Sequence, residues 1–544
     1  MFSRVCYNRS LFYFRFIKAA HSLHSFNLEA VSRIDQELLT ALAAVREWKN
    51  TFVPINCIPS DILSLIPTHL SSQKDRFRTS FVCRHWRRSL IQNGALWTQL
   101  FLRNGAEYVT TLLKRAKGSA LDIVTVSTTP IHAITQLSPH ARQIRRLKFA
   151  INQWPDVAMF SEVDSGPLPL LRTLKIRVIY NGRDSALPPL PLFSGALNLQ
   201  RLVLYSKIPE APPLTHFVFP NITVFELTIL QDRFDVSDLL SFFKTSPLLQ
   251  TVEVDINAEI MLESVPLGTV VVLPNAKAFS LSLRGDTVSH IYDIAPHISC
   301  PRVRHTSLAY DITGTNMADN LEIFPTSSSW DPIIRHYTTN PIEEVVLEWR
   351  DGHPVTFIAY TLTFRSSDTT VVTLDFGVTN TIPEEERSTY YFRRANLLTF
   401  HQACRTIQDH PQLSRVKRFH IKGIIGDNYS RSMANAMGGL FRSLGPLDEL
   451  YIRNCSLGIF LTLFIGPTES QHYEHVFPPI KRFIVWDPWM YHDWGYTDAI
   501  VGLAKSQYES RKPFKCVVVC ARWIPTDMAG RLREWVNAVD CSTP

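Results

Sequence analysis

The chain is predicted to be α/β, with a short helical module towards its N-terminal end followed by a long solenoid of strand-plus-helix repeats. Parallel strands line the concave face and helices lie outside. Three observations carry this reading. Apolar residues recur at helical spacing through residues 28–102. After residue 120, a unit ending in an apolar-x-apolar triplet returns at nearly constant steps. The 34 prolines outnumber the 21 glycines, which fits many short elements separated by Pro-led turns.

A length of 544 residues exceeds one ordinary domain, so several domains or one repetitive array are expected. Hydrophobic residues make up 45% and charged residues 19%, the balance of a chain that buries a core. The formal charge of +7 is mild for this length and does not by itself mark a nucleic-acid binder. Nine cysteines lie scattered without a CxxC pair or a Cys/His cluster of zinc spacing, which fits thiols in a reducing compartment, cytoplasmic or nuclear. Cys516 and Cys520 are expected on one face of a strand, as core packing. No apolar run approaches the ~20 residues needed to span a bilayer. Residues 1–26 lack any acid and carry Arg4, Arg9, Arg15 and Lys18. They read either as a transit-type segment or as a poorly ordered start, and the second is preferred.

Residues 27–53 form the next segment. Leu28, Val31, Leu38, Leu39, Leu42, Val45 and Trp48 fall mostly at three- and four-residue steps, with Glu29, Asp35, Glu37, Arg46 and Lys49 between them. This is one face of an amphipathic helix, and its apolar stripe calls for a partner, either the next module or another chain. Residues 54–102 stay helical in shorter pieces. Pro59 and Asp61 mark a helix start, with Ile62, Leu63, Leu65 and Ile66 supplying its apolar side. Phe77, Phe81, Val82, Trp86 and Leu90 follow, and a last segment carries Leu96, Trp97 and Leu100.

Residues 120–544 are read as the repeats. The unit appears as Pro169-Leu170-Leu171-Arg172-Thr173-Leu174-Lys175-Ile176, and returns around Leu202, Phe225, Val252, Phe279 and Thr306 at steps of 28, 23, 27, 27 and 27. An earlier copy is Ile144/Leu147/Phe149. Looser later copies are Ile342/Val345/Leu347, Val416/Phe419/Ile421, Leu447/Leu450/Ile452, Ile480/Phe483/Val485 and Phe514/Val517/Val519. Each triplet predicts a short strand with alternate residues inward, and helices are expected near 236–245, 397–408 and 434–443. Such a unit cannot bury its apolar side alone and must stack on its neighbours. Lys175, Glu226, Glu253 and Ser280 then face the concavity, the default surface for an extended partner. The competing reading is an ordinary α/β domain with coincident spacing.

Residues 54–70, with Ile58-Pro59 ahead of the Ile/Leu-rich helix, are followed by Asp75, by Phe81-Val82-Cys83-Arg84-His85-Trp86-Arg87, and by Leu96-Trp97-Thr98-Gln99-Leu100. In order and spacing this resembles the F-box. The whole chain is similar to fungal F-box proteins carrying degenerate leucine-rich repeats, although beyond the motif the similarity is one of architecture. Ile58 stands in place of the usual leucine, and Pro67-Thr68-His69 in place of an Ile-Phe pair. The resemblance implies a Skp-family adaptor of a cullin-RING ubiquitin ligase as partner, docked on Ile58, Pro59, Ile62, Leu63, Leu65, Ile66 and Leu70. Val82, Cys83, Trp86, Leu96, Trp97 and Leu100 are expected to hold the module together. The repeats would then bind an unknown substrate protein, making the chain a substrate receptor in the ubiquitination pathway. A scaffold whose F-box-like segment merely caps the repeats is the alternative.

No Gly-rich phosphate loop, zinc helix or nucleophile elbow occurs, so no enzyme, cofactor or metal is expected. Asp487, His492, Asp493 and Asp498 among Trp486, Trp489 and Trp494 are the one polar cluster that could hide an active site, and packing of the tryptophans is preferred. Arg76, Arg78, Arg84, Arg87 and Arg88 interleave with Phe77, Phe81 and Trp86, but nothing extends this into a nucleic-acid patch. Neither nucleic acid nor membrane is expected as a partner.

Overall fold

A computed structural model describes residues 28–54, 58–70, 72–126, 134–151, 167–179, 193, 195–207, 214, 217–261, 269–285, 294–313, 342–350, 356–366, 371–379, 404, 408, 413–423, 430–453, 455, 477–487, 494–521 and 524–542. The N-terminal segment 1–26 and most of the helix expected at 397–408 lie outside them. The chain is a mixed α/β protein that divides into two compact units. The described residues up to Leu100, with Glu107–Leu121, form the first, and Phe101–Ala106 with Asp122 onward form the second.

The first unit is helical: α1 (Leu28–Thr51), α2 (Ser60–Leu65), α3 (Gln73–Thr79), α4 (Arg84–Gln92) and α5 (Ala106–Ala116). The strand β1 (Gln99–Phe101) falls at the boundary, as does β2 (Leu121–Val124). In the second unit β3 (Ile144–Ile151), β4 (Thr173–Ile179), β5 (Arg201–Lys207), β6 (Val224–Asp235), β7 (Thr251–Met261), β9 (Ala278–Gly285) and β11 (His305–Thr313) pair in parallel, in that order. Two short parallel strands, β8 (Val271–Val272) and β10 (Ile298–Ser299), pair separately.

The positions that the sequence spacing makes equivalent coincide with the ladder register. Leu147 pairs with Leu174, Leu174 with Leu202, Leu202 with Phe225, Phe225 with Val252, Val252 with Phe279, and Phe279 with Thr306. All seven side chains are buried. The cause is periodicity of two: once these side chains point inward, a one-residue slip would turn the whole set to solvent. Asparagines in the turns add a second device. Asn198 donates its amide to the Pro169 carbonyl at 2.9 Å, Asn221 to Leu197 at 2.8 Å, and Asn275 to Pro247 at 3.2 Å. Each bond reaches back to the turn before the preceding strand and satisfies a carbonyl there. Asn221, the first residue of an N-x-T triplet, is thereby engaged with the backbone. The expected helix at 236–245 is α6 (Val236–Thr245), capped by Asp235, whose side chain accepts from the Ser237 amide at 2.8 Å.

One part of the expected repeat order is corrected. β12 (Ile342–Arg350), β13 (Thr356–Ser366) and β14 (Val371–Thr379) form an antiparallel meander, and β14, the last of the three, pairs with β11. The strands therefore enter the sheet in reverse order. The connections 351–355 and 367–370 explain this, because a parallel return needs a crossover of about a dozen residues or more. Beyond the meander, β12 pairs in parallel with β15 (Arg418–Lys422), and parallel pairing continues through β16 (Leu447–Arg453), β17 (Ile480–Asp487), β18 (Cys516–Ala521) and β19 (Ala538–Ser542). Val345, Phe419, Leu450, Phe483 and Val517 occupy one registered row, as the looser triplets predict. Among the described residues, three helices accompany these strands: α7 (Ser430–Ser443), α8 (Trp494–Glu509) and α9 (Met528–Arg533).

The opposite face of the sheet is polar. Lys175 and Glu253 are exposed, and Glu226 and Ser280 half-buried. Around β12–β16, Glu344 is held by Arg365 at 2.6 Å and Arg418 at 3.5 Å, with the His420 Nδ1 at 3.6 Å. His420 Nε2 lies 3.1 Å from Glu449, and the ring packs 5.2 Å from Tyr451. Burial pulls the imidazole below its ordinary 6.5, and outweighs the opposing pull of Glu344 and Glu449. A folded value below the unfolded one means stability that is full above pH 6.5 and is lost as pH falls through the folded value. The melting temperature is therefore expected to fall less between pH 7.5 and 5.5 in His420→Asn than in the parent. An equal fall in both would remove His420 from the acid response.

No disulfide joins the described cysteines. Burial pushes the Cys300 thiol up to about 12 and that of Cys404 higher still, which keeps both protonated and inert at neutral pH.

Candidate functional site

The first unit owes its order to a few apolar anchors. Pro59, with φ −55° and ψ 146°, delivers the chain into α2, whose first closing bond runs from the Leu63 amide to the Pro59 carbonyl at 2.9 Å. Leu63 is fully buried, while Ile62 and Leu65 are 48% and 53% exposed. Helical geometry explains the split, since Ile62, Leu65 and Ile66 share one side of the turn and Leu63 and Pro67 the other. α2 packs on α4, with the Ser89 hydroxyl donating to that of Ser60 at 3.2 Å. Pro67 is buried and opens the 3-10 turn Ile66–His69, which leaves Thr68 and His69 exposed.

Trp86, Leu90, Leu96, Trp97 and Leu100 fill the centre. The Trp97 indole donates to the Leu90 carbonyl at 2.9 Å, and its ring lies 5.2 Å from Phe77 and 4.9 Å beneath the Arg115 guanidinium. Trp86 is equally buried, but its Nε1 finds no partner among the described residues.

Two expected placements are corrected. Leu63 belongs to the core and cannot also line an exposed docking face. Val82, expected in the core, is 58% exposed beside Phe81, because both occupy the turn between α3 and α4, where no helix face directs them inward. Cys83 is half-buried at the N-cap of α4. Of the expected docking residues, Pro59, Ile62 and Leu65 are exposed, and Ile58, Ile66 and Leu70 half-buried.

Helix α5 is an addition to the sequence reading. Val109, Leu112, Leu113 and Ala116 are buried at helical spacing, and Tyr108 packs 5.8 Å from Phe77. Between α3, α4 and α5 opens a cavity of about 360 Å³ lined by Phe77, Phe81, Arg87, Ile91, Tyr108 and Arg115. The 3–4 spacing from Val109 to Ala116 is the sequence signal for this helix.

The arginine cluster has local employment. Arg84 and Arg88 hold Glu47 of α1 at 3.0 and 3.5 Å, Arg78 pairs with Asp75 at 3.0 Å, Arg76 bonds the Leu70 carbonyl at 2.9 Å, and Arg87 lies 5.2 Å over Phe81. α1 itself keeps Leu38, Leu39, Val45 and Trp48 exposed.

A comparison with protein-family models matches residues 55–103 to the F-box-like family. Residues 55–103 are an F-box-like domain. The match begins just before Pro59 and runs past Leu100, so the exposed Ile62 and Leu65 and the buried Trp86 and Trp97 all fall inside the F-box-like domain. No curated protein matches the chain.

Of the polar cluster expected near 487–498, Trp489, His492 and Asp493 lie outside the described residues. Asp498 is engaged by Arg531 at 2.7 Å, an ion pair between α8 and α9. Among the described residues no group of His, Cys, Asp and Glu is placed to hold a metal ion, and no helix is long and apolar enough to cross a membrane.

Proposed function

We propose that the protein is the substrate-recognition adaptor of an SCF-type (Skp-cullin-F-box) ubiquitin ligase. The F-box-like domain docks a Skp-family adaptor through Ile58, Pro59, Ile62, Leu65, Ile66 and Leu70, and the sheet region acts as a leucine-rich-repeat-like receptor for a substrate protein. Ubiquitin transfer then follows from proximity, because one chain that binds both partners raises the effective concentration of substrate lysines at the ligase.

The observation that carries this reading is the exposure of Ile62 and Leu65 on a helix whose other side is anchored through Leu63. Apolar side chains presented together on a small module mark a partner site, and each contributes about 1.5–3 kcal/mol when a partner buries it. The register of the parallel ladder supports the second half, since stacked strands present their outward residues as continuous rows across the sheet.

The test is capture of a purified Skp adaptor by the full chain. Ile62→Asp places a carboxylate in the apolar contact and is expected to weaken capture about a hundredfold, or roughly 2.7 kcal/mol, with an unchanged melt because the residue is exposed. No capture by the wild-type chain would replace this reading with that of a non-catalytic scaffold.

A further inference from the structure

On the polar face of β3–β7 one registered row reads Lys148, Lys175, Val203, Glu226, Glu253. Two positive charges stand at one end and two negative ones at the other, with a buried apolar position between them. Like charges directly opposite on neighbouring strands destabilise a sheet, and Lys148 faces Lys175 in this way. Both are exposed. The surrounding basic residues do not relieve them. Arg145 and Arg146 reach Asp122 at 2.9 and 3.9 Å, Arg201 is bound by Glu226, and Arg177 lies 5.0 Å over Tyr205. Among the described residues no carboxylate pairs with Lys148, Lys175 or Lys207. At Glu253, on β7, the excess has changed sign.

We infer that this row binds an extended protein segment with acidic residues at one end and basic residues at the other. The inference rests on the receptor reading and names the chemistry of its substrate. Five strands at about 4.8 Å spacing span roughly 19 Å, the length of about six residues of extended chain. The acidic end of such a segment neutralises Lys148 and Lys175. Its centre covers Val203, and its basic end meets Glu253 first, with the Glu226 carboxylate shared with Arg201. A nucleic acid strand or an anionic membrane is uniformly negative and is repelled at the β6–β7 end, so charge complementarity along the whole row favours a protein.

Fluorescence anisotropy of the full chain with labelled peptides tests this. The probes carry three Glu and three Lys in two blocks, in both chain directions, against the same composition in alternation. One of the block peptides is expected to bind at least tenfold tighter than the alternating peptide. Lys175→Glu is expected to abolish that preference, while its melting temperature equals or exceeds that of the parent, because the new carboxylate stands opposite Lys148. Equal binding of block and alternating peptides, indifference to Lys175→Glu, or tighter binding of a single-stranded oligonucleotide would each overturn the inference. Because no adaptor enters the measurement, such a result would leave capture of the Skp adaptor, and with it the receptor reading, standing or falling separately.

Discussion

Phe225→Ala is expected to lower the stability of the sheet region by about 3–5 kcal/mol, the usual cost of removing a buried aromatic side chain. Phe225 has no solvent exposure, and its ring lies 4.4 Å from Phe242 and 6.1 Å from Phe243 of α6. It therefore joins the inward row of the ladder to the helix packed beneath it. The loss is threefold: apolar area returns to water, a cavity is left, and two aromatic contacts disappear. The damage passes to the neighbouring strands, with Leu202 and Val252 losing a registered partner on either side. Urea unfolding followed by far-ultraviolet circular dichroism reads the shift of the midpoint. Phe225→Leu, which keeps most of the volume, is expected to recover more than half of it. A midpoint unchanged in Phe225→Ala would contradict the packing described.

The second large effect is in the F-box-like domain. Trp97→Ala is expected to cost that unit about 3–5 kcal/mol, because the indole is buried and meets Phe77, Arg115 and the Leu90 carbonyl at once. A comparison between the two tryptophans separates volume from hydrogen bonding. Trp97→Phe takes away the indole donor and leaves the Leu90 carbonyl with the Asn93 amide at 3.2 Å, so the lost bond costs about 0.5–1.5 kcal/mol beyond the loss of volume. Trp86→Phe removes a donor that has no partner among the described residues, so only the volume is lost. Thermal unfolding of the two Phe variants should therefore place Trp97→Phe below Trp86→Phe. The reverse order would mean that Trp86 carries the bond.

Much of the sheet is legible in the sequence because the inward residues of stacked strands repeat with the strands themselves. Leu174, Leu202, Phe225, Val252, Phe279 and Thr306 are equivalent by spacing alone, and they are the residues that pair. Even Thr306, the weakest member, is buried in its place. The meander escapes a 27-residue period because its strands obey another rule. Thr356–Ser366 and Val371–Thr379 alternate as clearly as any triplet, and the short connections before them forbid a parallel return.

The F-box-like domain is legible by motif but not in the orientation of its residues. Ile62 and Leu63 are neighbours of similar hydrophobicity, and one lies outside while the other is core. Only the position of α4 decides which, and that position is not written in the local pattern. Val82 shows the same limit, since a residue one step outside a helix loses the phase that the helix would have given it. Helix α5 carries a readable signal in Val109, Leu112, Leu113 and Ala116, but it lies beyond the end of the motif.

The central claim is that the chain meets its adaptor through the exposed side of α2 and the turn that follows. Hydrogen exchange of the full chain with and without a purified Skp adaptor tests it most directly. The account predicts slowed exchange concentrated in residues 58–70, with the amides of β3–β7 unchanged. Protection confined to the sheet, or absent throughout at saturating adaptor, would contradict it.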